Sequence, residues 1–318
     1  MLTEPQLLAL LLDLQQRFSW GQTASQYRLD HSWQSRTATL YRASGLPSGD
    51  PGVVLKVLDR VDGSTARALD DGLRRLGQAF ASQDRSRARI PDALGWLDVP
   101  AAVCTRHVEG TDVIRLFADL GHPSWAGSGW DPTELASECG RALGVYHTAD
   151  HPAIAPGEAD GDLREAARAM RVSAPLLARL ADDAVTAPTF GDFGPHQLMA
   201  TDGGGLFLLD APPAPAGGPA LGDVARFLFG LDKALARNPG VAADRRDAFR
   251  DAFCSGYAEA GLDDPRTPAG RRLVLLYEGA MARGVARQRW SIGRRGEAIR
   301  YGRRWASTVR ALRREAAR

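Results

Sequence analysis

Two aspartates stand eighteen positions apart in "TFGDFGPHQLMATDGGGLFLLDAPPAP", residues 189–215. Asp192 lies in a tight Gly-Asp-Phe-Gly-Pro loop, and Asp210 closes the apolar run Leu206-Phe207-Leu208-Leu209, which reads as a buried strand. Gln197, five residues after Asp192, adds an amide oxygen. Upstream, Lys56 sits inside "VVLKVLD"; it and Lys233 are the only lysines among 40 basic residues. A lysine kept in a chain that otherwise uses arginine points to a need for a compact ammonium. An unpaired charge in an apolar strand is costly, which marks Lys56 as a site candidate. Lys233, in "FLFGLDKALARN", reads as a surface residue. Phosphoryl transfer from a nucleotide requires a set of this kind: a strand lysine on the phosphates, an acid at the acceptor hydroxyl, and hard oxygens for Mg²⁺. Lys56, Asp192, and Gln197 with Asp210 would fill those places. Each also has a plainer reading, Asp192 as a turn former and Gln197 as a loop hydrogen-bonder.

The elements that must position these residues change character along the chain. Its 318 residues, 44% apolar and 25% charged, are those of a globular protein of one large domain or two lobes. No stretch approaches the roughly eighteen apolar residues of a membrane span, so no membrane partner is expected. "MLTEPQLLALLLDLQQRF" is apolar at helical spacing, without a basic leader or cleavage site, and reads as a docked amphipathic helix. "QYRLDHS", "TATLYRAS" and "VVLKVLDR" follow as strands, the last two separated by the turn-rich "GLPSGDPG". A helix is expected from about Ser64 to Ser82, then two strands within "RIPDALGWLDVPAAVCTRHVEG". From Thr111 the pattern is mostly helical, with "SWAGSGWDP" as a loop and "GDLREAARAMRVSAPLLARLADDA" as one helical stretch. Cys104, Cys139 and Cys254 are far apart and lack metal spacing, which suggests buried thiols in a reduced, cytoplasmic setting. From Arg271 to Arg318 there are 14 arginines against three glutamates, about +11, either an anion-binding surface or a solvated helix face.

Several of these motifs, in this order, resemble the aminoglycoside phosphotransferase and choline kinase family, small-molecule relatives of the protein kinases. "FGDFGPHQLM" resembles the family's catalytic loop with Asp192 in the catalytic place, and "LFLLDAPPA" its metal-binding strand end with Asp210 in that role. "GGPALGDVARFL" is similar to the segment in which Asp223 would be structural, and "LGVYHTAD" to the helix end that carries His147. "VCTRHVEGTDV" looks like the inter-lobe hinge, where backbone near Arg106 and Val108 would meet adenine, and "VVLKVLD" like the phosphate-binding lysine strand. The resemblance implies a bilobal, protein-kinase-like α+β fold. Residues 1–110 would form a small antiparallel-sheet lobe with its hinge at 104–110, and residues 111–318 a helical lobe.

It further implies ATP or GTP with Mg²⁺, a hydroxyl acceptor, and Gln197 and Asp210 at the metal. The departures are Phe190 in place of the catalytic-loop histidine, Gln197 in place of asparagine, and a proline-rich "APPAP" after Asp210. No glycine lies between the first two strands, where Ser32, Gln34 or Ser35 would have to meet phosphates instead. The helix glutamate that pairs with the lysine is missing, with Asp70 or Asp71 the nearest substitute. His196 and the terminal arginines, among them Arg287 and Arg294, are candidate acceptor contacts. Their charge favours an anionic metabolite or an acidic peptide over a cationic aminoglycoside, and nucleic acid is not expected. The motif losses leave a second reading, a pseudokinase-like module that binds a peptide or partner protein through its arginine-rich end.

Overall fold

A computed structural model describes residues 2–18, 20, 26–35, 37–46, 52–84, 86–121, 123–149, 159–212, 216–238, 240–259 and 263–316. Most of the "GLPSGDPG" turn and the end of "APPAP" lie outside them. Strands β1 (Gln26–Gln34), β2 (Ala38–Leu46) and β3 (Val53–Leu58) form an antiparallel sheet with β5 (Ala93–Leu97) and β6 (Ala102–Arg106), in the order β1-β2-β3-β6-β5. The β-branched run around Lys56 suits this central strand. Side chains alternate across it, so Val53 and Leu55 are buried on one face while Lys56, opposite Leu40 and Val103, belongs to the other.

Each face of the sheet has its own core. Helix α1 (Glu4–Phe18) lays Leu7, Leu11 and Leu14 against Tyr41, Val53, Leu55 and Cys104, as its helical spacing predicts. Helix α2 (Gly63–Ala81) is started by Asp62, whose carboxylate accepts from Thr65 N. Its stripe Ala66, Leu69, Leu73, Leu76 and Phe80 joins a second, larger core shared with the helical half of the chain.

Between residues 88 and 112 the chain alternates between sheets. Strand β4 (Ala88–Arg89) pairs in parallel with β10 (Gly205–Leu208), and β7 (Thr111–Asp112) pairs with β9 (Leu198–Thr201), giving a second sheet β4-β10-β9-β7. Two-residue strands leave no periodicity to read in the sequence. Helices α3 (Val113–Ala118), α4 (Ser124–Ser128), α5 (Pro132–Thr148), α6 (Ala159–Met170) and α7 (Ala174–Asp182) follow. The expected loop "SWAGSGWDP" thus contains a short helix, and the expected single stretch after residue 160 is two helices broken at Arg171, whose φ is 55°. Strand β8 (Thr186–Thr189) pairs with β11 (Ala216–Pro219), bracketing the 189–215 segment. Helices α8 (Leu221–Leu235), α9 (Ala243–Ala258), α10 (Pro268–Ser291) and α11 (Arg295–Ala316) complete the order. The three cysteines are buried and unpaired, as expected, and burial pushes their thiols up, Cys254 to about 12.

Helices α5 and α9 approach closely because each presents a glycine at the crossing. A methyl group on Gly140 would strike the Phe253 carbonyl, and one on Gly256 the Ser137 carbonyl. This contact sets the spacing of His147 and Tyr257, considered below. Gly256→Ala should therefore destabilise the protein by about 1–3 kcal/mol in spite of alanine's better helix propensity. Chemical denaturation measures it, and an unchanged midpoint would refute the close-approach role.

Candidate active site

The 189–197 loop is held from below by one buried carboxylate. Asp223, 1% exposed near the start of α8, accepts from Phe190 N at 2.6 Å and from Gly191 N at 3.0 Å. Its Oδ2 is also 3.2 Å from His147 Nε2, and His147 Nδ1 is 2.9 Å from the Tyr257 hydroxyl. A carboxylate can only accept, so Nε2–H donates to Asp223 and Nδ1 accepts from Tyr257. Burial, with the charge of Asp223 adding to it, pushes the Tyr257 phenol up and keeps it a donor. Asp223 and His147 thus meet beneath the loop. Tyr257 supplies a hydrogen bond across two helices.

Phe190 supports the loop by packing where the family has histidine. Its ring lies 5.3 Å from Tyr146 and 5.6 Å from Phe193, and Phe193 lies 5.8 Å from Phe227, edge or tilted contacts throughout. Tyr146 OH also donates to Thr189 O. Gly191, at φ 81°, turns the chain so that the next residue leaves the core. Asp192 accordingly has a side chain 76% exposed, with His196 Nε2 at 3.4 Å. The hydrogen bond from His196 holds the Asp192 carboxyl below the usual range, helped by the charges of His196 and Arg226 and by a bond from Gln197. Arg226 was not read from sequence, although its place three residues after Asp223 on a helix is a usable signal.

Across the cleft, Lys56 Nζ lies 2.6 Å from Asp210 Oδ2, joining the centre of the first sheet to the strand end of the second half. Asp210 Oδ1 accepts from Ala211 N. Leu209 N donates to Gln197 O, so the Asp210 strand end and the Asp192 loop are one hydrogen-bonded unit. Gln197 is turned toward Asp192, which leaves its amide oxygen for a cation. Asp70 and Asp71 do not take the expected place beside Lys56. Asp70 is buried against Arg74 at 2.7 Å and Asp71 faces Arg67, arginines one turn away on the same helix that capture them first.

At the hinge, Arg106 N donates to Asp92 O and His107 N to Gly52 O, so the chain beyond them is held in place. A cavity of about 450 Å³ there is lined by Ile90, Arg106, Val108, Glu109 and Phe207 among others. The Ser35 hydroxyl accepts from Thr37 N and Ala38 N and donates to Ala38 O, closing the β1–β2 hairpin. The arginine candidates separate. Arg287 lines a cavity of about 540 Å³ with Asp162, Glu165, Arg226, Tyr277 and Arg283, whereas Arg294 belongs to another cavity with Lys233.

The fold has counterparts among solved structures. It is similar to a Plasmodium vivax ethanolamine kinase, with 8% identity over 91% of this chain and 84% of that one and a TM-score of 0.53. It is also similar to an amicoumacin kinase in complex with AMP-PNP, Ca²⁺ and Ami, with 11% identity, 89% and 87% coverage, and a TM-score of 0.53. LicA in complex with AMP gives 10% identity, 96% and 99% coverage, and a TM-score of 0.52. The chain therefore has the bilobal kinase-like α+β fold expected from its motifs, as a divergent example. No protein-family model matches the sequence, and no curated protein matches it.

Two outcomes follow from the loop geometry. Asp223→Ala leaves two buried amides and His147 without their acceptor and should cost about 3–5 kcal/mol, with faster amide exchange at Phe190 and Gly191. A loss below about 1 kcal/mol would remove Asp223 as the anchor. A depressed Asp192 pKa means that the site favours the ionised carboxylate, and His196 is the largest cause. In His196→Ala the Asp192 titration, followed by carbon-13 NMR, should move up toward the ordinary carboxylate range. A midpoint that stays put or falls would contradict this coupling.

Proposed function

We propose that this protein is an ATP- and Mg²⁺-dependent phosphotransferase that phosphorylates a hydroxyl of an anionic acceptor. The acceptor is a small molecule or a Ser/Thr of an acidic peptide. One observation carries the reading: the Lys56–Asp210 ion pair bridges the cleft, and the Leu209–Gln197 hydrogen bond ties its Asp210 end to the Asp192 loop. Two of the similar structures hold AMP-PNP and AMP, which supports an adenine nucleotide; GTP is the other candidate. The hinge cavity beside Val108 is the natural place for the base.

The donor set suits magnesium. Asp210 and Gln197 offer hard oxygens, and among the described residues no group of three or more His, Cys, Asp or Glu side chains could form a cage. Mg²⁺ commonly takes only one or two protein ligands and completes its shell with phosphate oxygens and water. When bound, it would supply charge neutralisation for the phosphates. Lys56 would hold and neutralise the phosphates from the sheet side. Asp192 would orient the acceptor hydroxyl and receive its proton as the new O–P bond forms in line with the breaking bond to the β-phosphate, releasing ADP. An exposed carboxylate kept ionised suits that task. On the acceptor side, the cavity that shares Arg226 with Asp192 has four arginines and two acids on its walls, a balance that favours an anion over a polycation.

A second reading, a binding module without turnover that engages a peptide or partner protein through the arginine-rich end, draws on a specific observation. The Ser35 hydroxyl is consumed by its own hairpin, and no glycine lies in the turn between β1 and β2 to offer close backbone contacts to phosphate. Active-site substitutions separate the two. Asp192→Ala should lower ADP release with a suitable acceptor by at least about a hundredfold and leave nucleotide affinity nearly intact, whereas Asp210→Ala should weaken Mg²⁺-nucleotide binding. The screen covers hydroxyl acceptors including acidic peptides. Mg²⁺-dependent nucleotide binding with no ADP release from any acceptor would favour the binding module.

A further inference from the structure

A second cationic cavity lies away from Lys56, between α8, α10 and α11. It holds about 380 Å³ and is walled by Lys233, Arg237, Arg289, Arg294, Arg300 and Arg304, with Asp232 and Glu297 as its only acids. Those acids are already committed. Asp232 takes Arg250 at 2.9 Å and Arg304 at 2.6 Å, and Glu297 takes Arg289 at 3.2 Å and Arg294 at 3.3 Å. Lys233, Arg237 and Arg300 have no carboxylate in ion-pair range among the described residues.

We propose that this cavity binds a compact, multivalent oxyanion of the phosphate class. Three uncompensated cations around one cavity match an anion of two or three charges, whereas a single carboxylate would leave most of the repulsion in place. Arginine forks grip phosphate oxygens in pairs, and Lys233 adds a point charge on a flexible stem. The crowding also bears on Lys233 itself: lost hydration, then the charges of Arg289 and Arg237, hold its ammonium below the usual range, a strain that a bound anion relieves. This use also accounts for a lysine at 233 in a chain otherwise built on arginine.

The site is distinct from the nucleotide phosphates, which belong with Lys56 on β3. Arg226, Gly230 and Lys233 share one face of α8, Arg237 follows in the turn after it, and Gly230 packs on Pro195 of the catalytic loop. Seven residues from Arg226 to Lys233 correspond to roughly 10 Å along the helix. An anion here therefore lies beside the acceptor side of the cleft without entering it.

Calorimetric titration tests the proposal, with inorganic phosphate, pyrophosphate and glycerol 3-phosphate as probes. It compares the full chain, the double variant Lys233→Gln/Arg300→Gln, and Lys56→Met. The exposed positions of Lys233 and Arg300 spare the fold, which circular dichroism verifies. Binding of at least one probe should weaken about tenfold or more in the double variant and persist in Lys56→Met. Preference for pyrophosphate marks a free inorganic anion, and preference for glycerol 3-phosphate an ester; both uphold the site. No binding, binding unchanged in the double variant, or binding lost only in Lys56→Met would overturn it.

Discussion

A single buried carboxylate organises the helical half of this protein. Asp223 accepts from two consecutive backbone amides and from His147, and it is nearly sealed from water. Backbone donors buried without an acceptor cost as much as a lost hydrogen bond, so the loop has one conformation that satisfies Phe190 and Gly191. That conformation expels Asp192 into the cleft. His147 and Tyr257 extend the constraint to α5 and α9, whose glycines permit the crossing that brings them together. The aromatic contacts of Phe190 add packing where a histidine would have added another polar bond.

The cleft is closed electrostatically by Lys56 and Asp210. The two residues lie on separate sheets, 154 positions apart in sequence, and each is partly exposed. A pair at this depth is worth little as a stability term, because solvent screens it. Its value is positional: an ammonium and a carboxylate face each other where phosphates and a divalent cation would need them. In the family pattern a helix acid steadies the lysine. Here α2 directs its acids to its own arginines, and among the described residues Asp210 is the carboxylate paired with Lys56.

The arginine excess of the C-terminal helices has two uses. Arg250 and Arg304 converge on Asp232 and Glu278, a four-residue network linking α8, α9, α10 and α11. Burial alone would lower the Arg250 guanidinium, and the two acids more than offset it. Arg304 also lies over the Phe229 ring at 4.6 Å. Arg283 and Arg287 line one cavity, and Arg289, Arg294 and Arg300 another. The terminal helices are thus neither a uniform solvated face nor one continuous anion surface.

Local chemistry in the sequence determined most of the elements and the identity of the principal groups. Apolar periodicity marked α1, α2 and the long helices, and a lysine in a β-branched strand and an aspartate at a strand end marked Lys56 and Asp210. The two-residue strands β4 and β7, the pairing of β8 with β11, and the break at Arg171 were not legible, because such short pieces take their backbone partners from distant segments. Only tertiary structure decided which acid meets Lys56, since Asp70, Asp71 and Asp210 are equivalent by type and differ in which arginine reaches them first. The Ser35 hydroxyl likewise bonds within its own hairpin, to Ala38 N and Ala38 O. Sequence names the groups that can form bonds, and distance in the folded chain selects among them.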